Sequence, residues 1–88
     1  MTKTLYVGNL TWEVSADDLL ALFQAHGQVA HTQVVTDMET GRSRGFGFVD
    51  MNDADGAHRA VAALDRHPYR GRPLIVNEAA SRSPSGRG

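Results

Sequence analysis

Eighty-eight residues with nine basic and ten acidic side chains, 41% apolar content and no cysteine predict one small domain that buries only about 60% of its unfolded surface. The lack of cysteine excludes a disulfide scaffold and a thiolate metal site. No stretch has the apolar length of a signal peptide or membrane span, so the expected setting is cytoplasmic, or nuclear in a eukaryote, without a membrane partner. The formal net charge of -1 and pI near 6.4 lie far from the basic balance of a phosphate binder, yet the charge is unevenly spread. Residues 1–65 carry four basic and nine acidic groups, and residues 66–88 carry five arginines against Glu78 alone.

Leu5 to Leu10, LYVGNL, predicts a first strand with Leu5 and Val7 on one face and Tyr6 on the other, since residues two apart share a face. Asn9 then serves the strand exit as a turn-former. Ser15 with Asp18 three residues on reads as a capping box, and Val14 with Leu19 as the hydrophobic staple beside it. Leu19, Leu22 and Phe23 follow at helical spacing, with Gly27 as a C-terminal stop. Trp12, in the loop before this helix, is expected to pack over the helix start. Gln28 to Asp37 is rich in β-branched residues and predicts a second strand with Val34 turned inward and Gln33 and Val35 on the opposite face. Met38 to Ser43 is a polar loop containing Gly41.

Arg44 to Met51, RGFGFVDM, is a third strand in which Phe46 and Phe48 share one face while Gly47 and Val49 take the other. A second helix begins near Asn52 or Asp53, with Ala57, Ala60, Val61 and Leu64 as its apolar stripe. His67 to Arg72, holding Pro68 and Gly71, reads as a turn, and Leu74 to Asn77 as the last strand. The order strand, helix, strand, strand, helix, strand is the α+β, ferredoxin-like βαββαβ arrangement, a four-stranded antiparallel sheet with two helices on one face. The other face is left bare, and Tyr6, Phe46 and Phe48 lie on it. Domain boundaries are expected at residues 2–79, with residues 80–88 a disordered basic tail of Ser, Arg and Gly.

Rings displayed on an open sheet are costly in water unless something flat covers them, and an unpaired base is flat. RGFGFVDM matches seven of the eight places of the longer ribonucleoprotein signature, K/R-G-F/Y-G/A-F-V-x-F/Y, with Met51 replacing the last aromatic. LYVGNL is similar to the shorter, six-residue ribonucleoprotein motif. The two occur in the expected order, separated by the thirty-three residues from Thr11 to Ser43. Over residues 2–79 the chain therefore resembles the RNA recognition motif family, and in particular short single-domain bacterial and glycine-rich RNA-binding proteins. That resemblance implies stacking of a base on each of Tyr6 and Phe48, packing of Phe46 against sugars, and a phosphate contact from Arg44.

Lys3 and Arg42, on strands or loops able to edge the open face, join the candidate RNA-binding set, as do Val35, Ile75 and Asn77 by strand phase; Arg70 and Arg72 are basic residues with the same opportunity. Asp17, Asp18, Asp53 and Asp55 instead favour the helix macrodipoles, away from the sheet. Two departures from the family pattern are His26, where an aromatic is usual, and Ile75, where a basic residue is common. The expected partner is single-stranded RNA, bound by a monomer with no cofactor and no catalysis. Single-stranded DNA is the alternative ligand, since stacking ignores the sugar. RNA chaperone action or post-transcriptional regulation would be the corresponding role.

A protein-interaction module on the same fold would have no need of all three sheet aromatics. An acylphosphatase-type enzyme would need an arginine in the loop after the first strand, and Gly8 to Trp12, GNLTW, has none. Gly45-Phe46-Gly47 lacks the third glycine and the following helix of a dinucleotide loop. His26, His31, His58 and His67 have no helical pairing that would suggest a metal.

Overall fold

A computed structural model describes residues 2–79. Strand β1 (Lys3–Gly8) leads to helix α1 (Ala16–Gln24), strands β2 (Val29–Thr36) and β3 (Ser43–Met51), and helix α2 (Ala54–Leu64). A short hairpin of β4 (Pro68–Tyr69) and β5 (Arg72–Pro73) precedes the last strand, β6 (Ile75–Glu78). The main sheet has the order β2-β3-β1-β6 and is antiparallel throughout. This is the ferredoxin-like arrangement expected from the order of elements.

Alternation along the strands decides the two faces. Leu5, Val7, Val49 and Val76 are fully buried, and they meet Leu19 and Phe23 of α1 and Ala57, Ala60 and Leu64 of α2. Burying these aliphatic and aromatic side chains between sheet and helices is the main favourable term holding the layers together. Helix α1 starts as its sequence predicts. The Asp18 backbone N–H donates to Ser15 Oγ at 3.2 Å, and the Ser15 N–H donates to the Asp18 carboxylate at 2.9 Å. That second bond, above all, holds the Asp18 carboxyl below the usual carboxylate range. Helix α2 is capped by Asp53, whose carboxylate accepts from the Gly56 N–H at 2.7 Å.

Two local expectations change. Gly27 is not a left-handed helix stop: α1 ends at Gln24 with Ala25 at its C-cap, and Gly27 is absent from the positive-φ positions. Its small size is used for packing instead, because a methyl group there would sit 3.0 Å from Gly56 Cα and 3.2 Å from Met51 Cε. The span from His67 to Arg72 is more than a turn. Arg66 N–H donates to the Leu74 carbonyl and Leu74 N–H to the His67 carbonyl, at 2.7 and 3.0 Å, so chain pairing extends on both sides of the hairpin tip. At that tip Arg70 (φ 53°) and Gly71 (φ 85°) are both left-handed, the requirement of a type I′ hairpin turn, whose twist matches its strands. The last strand consequently begins at Ile75, with Leu74 buried just before it.

Candidate nucleic-acid interface

Residues directly opposite in an antiparallel pair share a face, so the registers generate a lattice on the side away from the helices. Its central row is Gln33, Phe48, Tyr6 and Asn77 across β2, β3, β1 and β6. The neighbouring row sets Phe46 opposite Gly8 and Gly8 opposite Ile75. Val35 follows inward-facing Val34 and carries the same open-face phase as Gln33; it is half-buried. On the same open face, in the row on the other side of Tyr6 and Phe48, Thr4 donates through Oγ1 to the Asp50 carboxylate at 2.5 Å.

Tyr6, Phe46 and Phe48 form one aromatic cluster. Tyr6 stacks on Phe46 with centroids 5.8 Å apart and planes 30° apart. Phe48 stands steeply inclined to both, with centroids 6.1 Å from each and interplanar angles of 68° to Tyr6 and 90° to Phe46. Gly8 makes room for the tyrosine, for a methyl group at that position would lie 2.5 Å from the Tyr6 hydroxyl. Gly47, opposite Val34, has a similar role on the other face, where a side chain would collide with the Gln33 carbonyl of β2. All three rings remain partly open to solvent, so each retains surface on which a planar group can stack.

The end of this face near Phe46 is built by two loops. Gly45 is left-handed (φ 87°), and the pairing of β2 with β3 jumps from Val34–Gly47 to Thr36–Ser43 across it. This is a bulge that leaves Arg44 exposed. Between β2 and β3 the chain folds around Asp37, whose carboxylate accepts from the N–H groups of Glu39 and Thr40 at 2.8 and 3.1 Å. Those backbone bonds, aided by the charge of Arg44, hold the Asp37 carboxyl below its usual range. Arg42 emerges from this turn exposed.

Other cations are engaged elsewhere. Lys3 shares the phase of Leu5 and Val7 and therefore lies on the helix side, correcting the expectation that it edges the open face. Its ammonium pairs with Glu78 at 3.1 Å, and His58 of α2 meets the other oxygen of that carboxylate at 3.1 Å. The Lys3 contact is the leading cause of a lowered Glu78 pKa. Arg70 likewise turns away, to Asp18 of α1 at 3.3 Å and over the Tyr69 ring. Arg72 donates to the Leu10 carbonyl at 3.3 Å, and Asn9, left-handed at φ 61°, donates through Nδ2 to the Pro73 carbonyl at 2.7 Å. The β1 exit and the hairpin are thereby joined.

Thus Tyr6, Phe46, Phe48, Gln33, Ile75 and Asn77 meet on one face with Val35 at its margin, and Arg42 and Arg44 stand at its end. Trp12 corrects a second expectation. It is 71% exposed and does not pack over α1. Leu10 and Val14 take the buried positions on either side of it, leaving the indole outside.

The family profile for the RNA recognition motif matches residues 5–75, a span that holds both aromatic motifs. The chain belongs to the RNA recognition motif family. Among solved structures, the crystal structure of RNA Binding Protein PG1 superposes with a TM-score of 0.88 at 49% identity, covering 92% of this chain and 98% of that one. RbpE of Nostoc sp. is 46% identical over 83 residues, 94% of this chain and 84% of that protein. The chloroplast RNA-binding protein CP31B of Arabidopsis thaliana is 49% identical over 79 residues. This RNA recognition motif covers 90% of itself in that match but spans only 27% of CP31B.

Proposed function

We propose that the protein binds single-stranded RNA on the open face of its sheet, without catalysis, by stacking bases on Tyr6 and Phe48 and packing sugars against Phe46. The observation that carries this reading is the cluster of three aromatic rings on the face that the helices leave uncovered. Such a surface favours unpaired strands, because a base inside a duplex already has its faces stacked. RNA-binding relatives of the same family support RNA as the polymer. In this reading Arg44 and Arg42 contact phosphates, Asn77 and Gln33 offer polar contacts to base edges, and Val35 and Ile75 provide apolar contacts at the margins of the lattice.

A ligand that binds only the unpaired form of an RNA shifts its equilibrium toward that form by mass action. That shift is a sufficient basis for RNA chaperone action or for control of transcript stability. Titration with random-sequence RNA and DNA octamers, followed by amide shifts, tests the proposal. RNA should move the amides of β1 and β3 around Tyr6, Phe46 and Phe48. Shifts confined to the helices would refute the sheet assignment, and stronger binding by DNA would reassign the polymer.

A further inference from the structure

We infer that Asp50, held by Thr4 and flanked by Gln33 and His31, selects guanine for the base stacked on Phe48, an assignment that rests on RNA covering the aromatic face. Asp50 takes the seventh place of the longer ribonucleoprotein signature, the one place that signature leaves open, and this chain sets a carboxylate there. The registers put it on the open face. Asp50 lies opposite Thr4 of β1 and opposite His31 of β2, in the row beside that of Gln33, Phe48 and Tyr6. His31 reaches this row through a shift in register, for the pairing passes from Val29–Met51 to His31–Asp50 with Ala30 as the extra residue. Such a bulge re-aims the side chains beyond it. Without it Ala30 would stand opposite Asp50, and His31 would turn to the helix side.

A carboxylate on a nucleic-acid-binding face repels phosphate and accepts only from N–H or O–H groups. Among the described residues no cation lies within ion-pair distance of Asp50. Its Oδ1 takes the Thr4 hydroxyl, which leaves Oδ2 and a further lone pair of Oδ1 for a ligand. The Thr4 bond also fixes the direction of the carboxylate, so less freedom is lost on binding. The exposed cations of this face, Arg42 and Arg44, stand at its opposite end, beyond Phe46. Phosphates are therefore drawn to that end, and the Asp50 end is kept for base edges.

The pattern of donors singles out guanine. Its pairing edge sets N1–H and an N2 amine hydrogen side by side, and the two oxygens of a carboxylate accept such a pair together. Adenine and cytosine present one amine beside a ring-nitrogen acceptor, and uracil presents one N–H between two carbonyls, so each turns an acceptor toward the carboxylate. Guanine O6, next to N1, needs a donor in turn. Exposed Gln33 and His31 of β2 stand beside Asp50 to supply it. Asp50 is two residues from Phe48 on one strand face, about 7 Å along β3, where the edge of a base that overhangs the Phe48 ring arrives.

The full chain and its Asp50→Asn and Thr4→Val variants are titrated at fixed salt with four labelled RNA octamers: an oligouridylate, and the same strand with a single internal guanine, adenine or cytosine. Amide shifts of Phe46 and Phe48 are recorded in parallel. The guanine octamer should bind the parent about tenfold more tightly than oligouridylate, the usual discrimination of one bidentate contact, and more tightly than the other two. Asp50→Asn keeps the shape but exchanges one acceptor for a donor, so the guanine advantage should largely disappear. Thr4→Val removes the positioning hydroxyl and should reduce that advantage in part. Sheet amides that shift while the parent shows no guanine preference would overturn the assignment and leave the sheet reading standing. So would a preference that survives in Asp50→Asn, even with all four octamers weakened alike. No shift at the sheet amides would defeat both.

Discussion

Replacing Phe46 and Phe48 together by alanine removes two of the three rings on the open face. The base stacked on Phe48 is worth about 1–3 kcal/mol, and the sugar contact of Phe46 adds to it, so the pair should cost at least about 1–3 kcal/mol of RNA affinity. At about 1.4 kcal/mol per decade, the loss is at least roughly fivefold to about 140-fold. Neither ring belongs to the buried core, so the layers should stay assembled. The rings do support one another, however. The double variant loses the Tyr6–Phe46, Tyr6–Phe48 and Phe46–Phe48 contacts, each up to about 0.5–1.5 kcal/mol for a well-packed pair, with the solvent-facing geometry favouring the low end. Thermal unfolding and amide dispersion therefore come first, and a Phe46→Leu, Phe48→Leu pair retains apolar cover while removing the π-faces. Affinity is then measured by fluorescence anisotropy with a labelled RNA octamer at fixed salt. A folded double variant that binds within threefold of the parent would refute stacking as the source of affinity.

Gly27→Ala should destabilise the domain by about 1–3 kcal/mol in chemical denaturation, the usual cost of overpacking, because its methyl group meets Gly56 Cα and Met51 Cε; unchanged stability would show that the two segments separate freely. Asp37 titrates below the ordinary aspartate range because its ionised form accepts backbone hydrogen bonds. Its contribution to the folded loop is therefore complete above the unfolded pKa and disappears as pH falls through the lower folded value. The Glu39 and Thr40 amide shifts should accordingly report a midpoint below that of an unperturbed aspartate, and an ordinary midpoint would contradict the loop geometry. For RNA binding by the full chain, Arg42 and Arg44 together should contribute about -1.4 to the salt slope, at about 0.7 per phosphate. Arg82 and Arg87, in the expected basic tail, lie outside the described residues and would bring the total to about -2.8 if each neutralised one phosphate. A slope much steeper than -3 would move the main source of affinity from stacking to charge.

Features governed by neighbours along the chain were legible in the sequence. Two-residue alternation placed Tyr6, Phe46 and Phe48 on one face and Leu5, Val7 and Val49 on the other, because a strand leaves its side chains no other choice. The Ser15–Asp18 capping box was equally readable, since both hydrogen bonds close within a single turn. The same alternation already placed Lys3 with Leu5 and Val7, although its charge suggested the open face; its partner Glu78 becomes adjacent only when β6 pairs with β1. Gly27 resembled a helix stop because the approach of Gly56, from the following helix, has no local sign. The left-handed turn at Arg70 and Gly71 was hidden by an arginine where asparagine is the usual signal. Trp12 was the least legible residue. Its exposure depends on Leu10 and Val14 occupying the core around it, and its nearness to Arg42 and Ser43 depends on β1 pairing with β3. Periodicity and capping act over a few residues and survive in the sequence, whereas the partners of Lys3, Gly27 and Trp12 are brought near only by sheet pairing and by packing between layers.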